Sequence, residues 1–279
     1  MIKRILQYCI KMKILDCSIF NDENEILKIR LNTLNPYVDK FIIVESLINH
    51  QGKIKKKNFN INLFKKFKKK ICYLLIKEIP KNFTSWQIEN FQRNYISNAL
   101  KNFSKEDIVI ISDADEIPNL KNLNFSKIKN NYYAFEQDHF FYKLNLKQKK
   151  KWLGSKMCKI KNLKSPQWLR SLKMHKKYPY WRIDKYFSKN YVFNFEIIKN
   201  GGWHFGWLKN VNKIILKIES YAHIENNTNK NKNKIFIKNC INKKVNFLNT
   251  NEKLKKVKID NSFPFYIKNN LHIFKKWIV

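Results

Sequence analysis

The pattern of apolar runs predicts an α/β protein built on a mixed, mainly parallel sheet flanked by helices. Three observations carry this expectation. Ile108 to Ile111 is an unbroken apolar run with β-branched residues, the mark of a strand covered on both faces. Ile14 to Phe20 and Asp39 to Ser46 read as two further strands that flank a helical stripe of Leu27, Leu31 and Leu34. Strand, helix, strand is the crossover unit of a parallel sheet. The run at Ile108 ends in Asp113-Ala114-Asp115-Glu116, and open parallel sheets bind ligands at the carboxyl ends of their strands.

In chain order, Ile14 to Phe20 is the first strand, and Asp22 and Glu25 have the spacing of a capping box ahead of the helix. That helix stops near Asn35-Pro36. Asp39 to Ser46 is the second strand, with Glu45 at its carboxyl end. Lys53 to Lys70 is lysine-rich and solvated, broken by Phe59, Phe64 and Phe67, and Ile71 to Ile76 is the third strand. Between Thr84 and Leu100 a helix puts Ile88, Phe91, Tyr95 and Ala99 on one face. Glu89 and Arg93 stand four apart on its flank, the spacing of a surface ion pair.

After the central strand, Tyr132 to Leu144 reads as another, with Glu136, Asp138 and His139 as polar exceptions. Lys147 to Tyr180 is irregular and basic, either an insertion that shapes a groove or a set of surface loops. Gly201 and Gly202 then precede Trp203-His204-Phe205-Gly206-Trp207. Adjacent glycines let a backbone approach a ligand closely, and His204 can ligate a metal or hold a phosphate, although a histidine among aromatics is also at home in a core. Val211, Ile214, Ile215, Ile218 and Ala222 have helical spacing, with Glu219 and His223 four apart and Glu225 at the helix end. Asn226 to Lys244 reads as a loop joined to a polar helix, and Pro264 to Val279 carries aromatics enough to dock on the body.

Asp113, Asp115 and Glu116 crowd three negative charges into four positions, and Pro118 prevents the ladder from continuing. Two such charges about 4 Å apart repel by roughly 4 kcal/mol at an effective dielectric of about 20. A partly buried cluster therefore wants a cation, and hard oxygen ligands beside a diphosphate suit Mg²⁺ or Mn²⁺. Acids that merely cap a strand and solvate a turn would look the same in isolation.

The 279 residues, 44% of them hydrophobic, suffice for a full core and fit one large domain. The formal charge of +36 invites a nucleic-acid or anionic-membrane partner, but only five of the 57 basic residues are arginine: Arg4, Arg30, Arg93, Arg170 and Arg182. Nucleic-acid readers favour the bidentate arginine, so no specific nucleic acid is expected. A lysine surface still attracts phosphates and acidic headgroups. Five widely spaced cysteines form no Cys-x-x-Cys, which points away from a disulfide framework or a zinc site and toward a reducing, cytoplasmic setting. No stretch has the roughly 20 apolar residues of a spanning helix, and Ile5 to Ile10 is too short and polar for a signal peptide.

Five motifs stand in one order along the chain: Phe20-Asn21-x-x-x-Glu25-x-Leu27-x-Ile29-Arg30-Leu31, Val38-Asp39-x-Phe41-x-Ile43-Val44-Glu45, Trp86-x-x-Glu89-x-x-x-Arg93, Ser112-Asp113-Ala114-Asp115-Glu116-Ile117-Pro118 and Gly202-Trp203-His204. Together they resemble glycosyltransferase family 17, which includes the β-1,4-mannosyl-glycoprotein β-1,4-N-acetylglucosaminyltransferases, from about residue 14 to about residue 225. The resemblance implies a nucleotide-sugar-binding, Rossmann-like fold of the A type, an inverting mechanism, UDP-N-acetylglucosamine as donor and a divalent metal at Asp-x-Asp. It divides a single domain, 1–279, into a nucleotide-sugar half at about 14–144 and an acceptor-side half at about 145–279. The chain departs from the animal members in lacking a membrane anchor and luminal stem. The expected acceptor is therefore a surface polysaccharide or lipid-linked glycan, reached by a cytoplasmic enzyme whose lysine surface sits peripherally on an anionic membrane.

On this basis Asp115, Asp113 and His204 are the metal candidates, with Asp113 also available to the ribose. Glu45, Arg93, Arg170, Gly202 and Trp203 are donor-binding candidates, the arginines singled out by their scarcity. A base must be a carboxylate within reach of the acceptor hydroxyl. Glu225 leads, followed by Glu219, Glu136 and Asp138, and Glu116 and Asp113 share the catalytic cluster. A metal-dependent nucleotidyltransferase or phosphotransferase, a basic nucleic-acid-binding protein, and a catalytically silent glycan binder are the rival classes.

Overall fold

The computed structural model describes residues 12–172, 181 and 195–279. Arg4 and Arg182 lie outside them. Strands β1 (Ile14–Phe20), β2 (Lys40–Ser46), β3 (Ile71–Ile76) and β4 (Ile108–Asp113) form a parallel block in the order β3-β2-β1-β4. Helix α1 (Asn24–Leu34) links β1 to β2, and α2 (Ser85–Asn94) with α3 (Ser97–Leu100) leads from β3 into β4. Leu15, Cys17, Ile42, Val44, Val109 and Ile111 pack on one face of this block, while Phe41, Ile43, Ile108 and Ile110 pack on the other. With both faces covered, the strands have no solvent side on which to alternate, which explains their continuous apolar runs.

The rest of the chain widens the sheet: β5 (Glu116–Pro118), β6 (Tyr132–Phe141), β7 (Leu146–Lys147), β8 (Trp152–Lys159), helix α4 (Pro166–Ser171), β9 (Phe195–Gly206), helices α5 (Val211–Ile218) and α6 (Lys234–Asn242), a β10–β11 ribbon (Val245–Asn246 with Asn249–Lys253), β12 (Lys255–Lys256) and α7 (Phe265–Lys268). β8 runs antiparallel between β4 and β6, and β9 pairs parallel with β6 and antiparallel with β5. The result is a mixed ten-stranded sheet with a parallel core and flanking helices, the α/β class expected. Among the described residues no helix is long and apolar enough to cross a membrane.

Three local expectations change. Part of the irregular 147–180 stretch is a strand inside the sheet, because β8 buries Gly154 to Cys158. Its Lys156 escapes desolvation by donating to the carbonyls of Arg170 and Leu172 at the end of α4, where the helix dipole favours a cation. The Asp22/Glu25 capping box does not form. The N-cap is Glu23, whose carboxylate accepts from the amides of Asn21 and Asp22. The capping box lies instead at α2, where Thr84 and Gln87 satisfy one another's amides. Because α5 stops at Ile218, Glu219 and His223 do not pair along a helix, and His223 bonds Glu225. The carboxyl-terminal segment docks as expected, with Ile267 and Phe274 fully buried.

Candidate active site

The acidic turn between β4 and β5 is held from behind by Arg30. This guanidinium is fully buried, makes a two-pronged pair with Asp16 on β1 (2.5 and 2.7 Å), and donates to the carbonyls of Glu116 (2.5 Å) and Asp113 (3.2 Å). The planar fork serves both tasks at once, which an ammonium would not. One residue of α1 thus fixes the turn that carries the carboxylates.

The carboxylates then diverge. Asp113 lies between two arginines, with Arg93 and Arg170 each 2.9 Å from one of its oxygens. Burial opposes its charge, but Arg170 and Arg93 outweigh burial and hold the acid well below the usual carboxylate range. Glu116 turns inward and is fully buried. It accepts from Trp152 (2.6 Å), Arg170 (2.5 Å) and the amide of Asp113 (3.2 Å), and burial pushes its acid up. Asp115 faces the opening. Its Oδ2 lies 3.3 Å from Lys217 Nζ, and its Oδ1 lies 3.6 Å from His204 Nε2. Burial opposes this charge too, and Lys217 and His204 more than offset it, so Asp115 stays ionised.

A cleft of about 240 Å³ opens here, at the carboxyl ends of β1 and β4. Ile19, Phe20 and Asn21 form one wall, Glu89 and Gln92 of α2 another, and Asp113, Asp115, His204 and Lys217 the floor. The roof is made of two loops stitched together, since the amide of His50 donates to Ser220 and Gln51 donates to Ile218. Gln92 secures the first loop by donating to Ile48 and bonding His50. Beneath His204 the ring of His139 stacks at 4.3 Å, nearly coplanar at 6°. Burial and the neighbouring His204 push His139 down to about 3, so the stack carries a neutral ring there. A Cβ on Gly206 would stand 3.2 Å from His139 and 3.5 Å from His204, so a larger residue there would press the His139 ring by a few tenths of an ångström.

Several candidates read from the sequence therefore sit elsewhere. Glu45 is fully buried and binds Lys55, the amides of Asn58 and Phe59, and the Tyr73 hydroxyl, so it clamps a loop and does not line the cleft. Arg93 and Arg170 stand behind Asp113 and do not line the cleft. Trp203 packs in the core and donates to Ser262. Gly202 pairs with Pro118 at φ +137°, and a Cβ there would lie 2.1 Å from the Ile117 carbonyl, so the glycine serves strand contact and not ligand approach. Glu225 is exposed at the rim, bound to His223. Glu136 and Asp138 pair with lysines away from the cleft, and Glu219 reaches Lys232. Sequence reading missed Lys217, although a signal existed: it stands three residues after Ile214 and beside Ile218, on the face of α5 where a lysine breaks the apolar pattern.

Comparison with known families decides the class. The model of glycosyltransferase family 17 matches residues 5–250. The chain belongs to glycosyltransferase family 17. Its reaction class is accordingly glycosyl transfer. No curated protein matches the chain. Among solved structures, this family 17 chain is similar to a glycosyltransferase involved in the glycosylation of the major capsid of PBCV-1, with 13% identity over 67% of this chain and 81% of that one and a TM-score of 0.34. It is also similar to HddC from Yersinia pseudotuberculosis complexed with GMP-PN, with 11% identity over 67% and 90% of the two chains and a TM-score of 0.33.

Proposed function

We propose that this family 17 member is an inverting, metal-dependent glycosyltransferase that moves N-acetylglucosamine from UDP-N-acetylglucosamine to a glycan acceptor. The convergence of Asp115, His204 and Lys217 on one cleft at the strand ends carries the reading. Ile19, Phe20, Ile48 and Gln92 offer a partly apolar slot for the nucleoside, and Lys217 offers a fixed cation to the diphosphate.

Asp115 and His204 would offer two ligands to a divalent cation, with the diphosphate as co-ligand; among the described residues no group of three His, Cys, Asp or Glu side chains could hold one alone. Asp115 Oδ1 and His204 Nε2 are 3.6 Å apart, within twice a metal–ligand bond of about 2.1 Å. Among the described residues buried His204 Nδ1 has no hydrogen-bond partner, so none of them competes to turn Nε2 away. A carboxylate with an imidazole suits Mn²⁺ somewhat better than Mg²⁺. Asp113 is spent on its arginines and fits the ribose or an indirect contact better than direct ligation. When bound, the cation supplies charge neutralisation at the diphosphate. Lys217 adds a preorganised positive charge where negative charge develops as the bond to the sugar breaks.

One property supports an acceptor presented on a surface. The chain carries +36, and near an anionic leaflet each lysine is attracted by about 1 kcal/mol. We assign a surface polysaccharide or lipid-linked glycan on this ground. The test is titration of UDP and of a panel of UDP-sugars, followed by tryptophan fluorescence with Mn²⁺ and with chelator, and by release of UDP. Mn²⁺-dependent binding with preferential release from UDP-N-acetylglucosamine is expected. Turnover of nucleoside triphosphates without UDP binding would replace this reading by nucleotidyl or phosphoryl transfer.

A further inference from the structure

The proton acceptor of the reaction is legible at the rim of the same cleft, and this inference rests on the transfer reading above. The carboxylates that line the cleft are already committed. Glu23 holds two backbone amides, Glu89 is paired with Arg93, Asp113 with two arginines and Asp115 with Lys217. A carboxylate held ionised by fixed cations is a poor base, because those cations oppose its protonation. Among the described residues Glu225 pairs with no lysine or arginine, but it stands outside the cleft, 61% exposed, with Oε1 2.7 Å from His223 Nδ1.

His223 itself lines the cleft. An ionised carboxylate only accepts, so the proton of a neutral His223 ring sits on Nδ1 and Nε2 keeps its lone pair. The other two histidines of the cleft are engaged, His50 with Gln92 and His204 with Asp115. The surroundings of His223 suit a saccharide. Trp86, 46% exposed, meets the imidazole edge-on at 4.7 Å, and the Tyr221 ring lies 5.5 Å from it. Tyr221 continues to Trp207 at 5.5 Å, and Lys217 lies over that indole at 5.2 Å. An aromatic wall thus runs from the Asp115–Lys217 pair to the rim, and aromatic faces accept the apolar faces of sugars while hydroxyls project at their edges.

We propose that His223 is the general base of this enzyme and that Glu225 is its positioning residue. The acceptor hydroxyl gives its proton to His223 Nε2, and its oxygen lone pair forms the bond to the anomeric carbon. The bond from that carbon to the diphosphate oxygen breaks, and its electron pair leaves with UDP. The proton then passes from His223 to solvent. Glu225 keeps Nδ1 protonated and stabilises the imidazolium.

The test uses the full chain with Mn²⁺, UDP as binding probe and water as nucleophile, measuring UDP release from UDP-N-acetylglucosamine by wild type, His223→Gln and Glu225→Gln. For His223→Gln, kcat falls about 10²- to 10⁴-fold, the span of general-base catalysis, while KM and UDP affinity stay within about twofold and added imidazole restores part of the rate. Glu225→Gln lowers kcat less, with KM unchanged. Since Glu225 is exposed, that variant keeps the fold and serves if the first does not. Release by both variants at the wild-type rate, with UDP bound normally, overturns the base assignment alone. Failure of every form, wild type included, to bind UDP overturns the donor reading and this inference with it.

Discussion

On the proposed reading Asp115 is the residue to test first, because it is the carboxylate of the acidic turn whose partners are a lysine and a histidine of the cleft and not structural arginines. Asp115→Asn keeps the shape and removes the charge. Mn²⁺-dependent UDP release falls by about 10²-fold or more, the scale of losing a preorganised electrostatic contact, while the circular dichroism spectrum is unchanged. A variant with full activity would remove the metal assignment. Asp138 shows the opposite case, a charge that acts on stability. Burial disfavours its ionised form, but hydrogen bonds from Lys147 and Lys151 outweigh burial and lower its acid. A depressed folded value stabilises above the unfolded value of about 4 and is lost as pH falls through the folded one. Wild type therefore exceeds Asp138→Asn by about 0.2–1 kcal/mol near neutrality, and the two converge in urea titrations below about pH 4.

The β4–β5 turn is the element on which the site depends, and its clamp comes from another element. Arg30→Met leaves Asp16 buried without its partner and removes one donor from each of the Asp113 and Glu116 carbonyls, at a cost of about 3–5 kcal/mol. Arg30→Lys keeps the charge but loses the fork and falls between. Urea midpoints check both, and a Met variant as stable as wild type would deny the clamp. β1, β2, β3 and β4 were readable because each concentrates apolar residues over a short stretch, and β4, buried on both faces, does so without a break. β8 was not. It carries Lys156 and Gly154, which read as surface until the carbonyls ending α4 and the side chain of Gln137 are in place around them. Lys217 escaped for the same reason, since its partner Asp115 is 102 residues away.

For the whole molecule, the charge of +36 sets non-specific behaviour and leaves the fold untouched. Two duplexes of unrelated sequence are expected to bind alike, with log affinity falling steeply and linearly in log salt. A sequence preference that survives salt would revive the nucleic-acid reading. UDP binding in the recessed cleft should be far less salt-sensitive, since partly buried pairs are screened less. The split between what the chain alone declared and what required three dimensions follows the same physical line. Strand runs, helical stripes and the clustered Asp113, Asp115 and Glu116 are short-range patterns, so class, family and the floor of the site stand in the linear order. The fate of each carboxylate was decided only by folding. Three neighbours of one kind became an arginine-held strut, an ion facing the cleft and a buried acid, because the cations and donors that distinguish them arrive from α2, α4, α5 and β8.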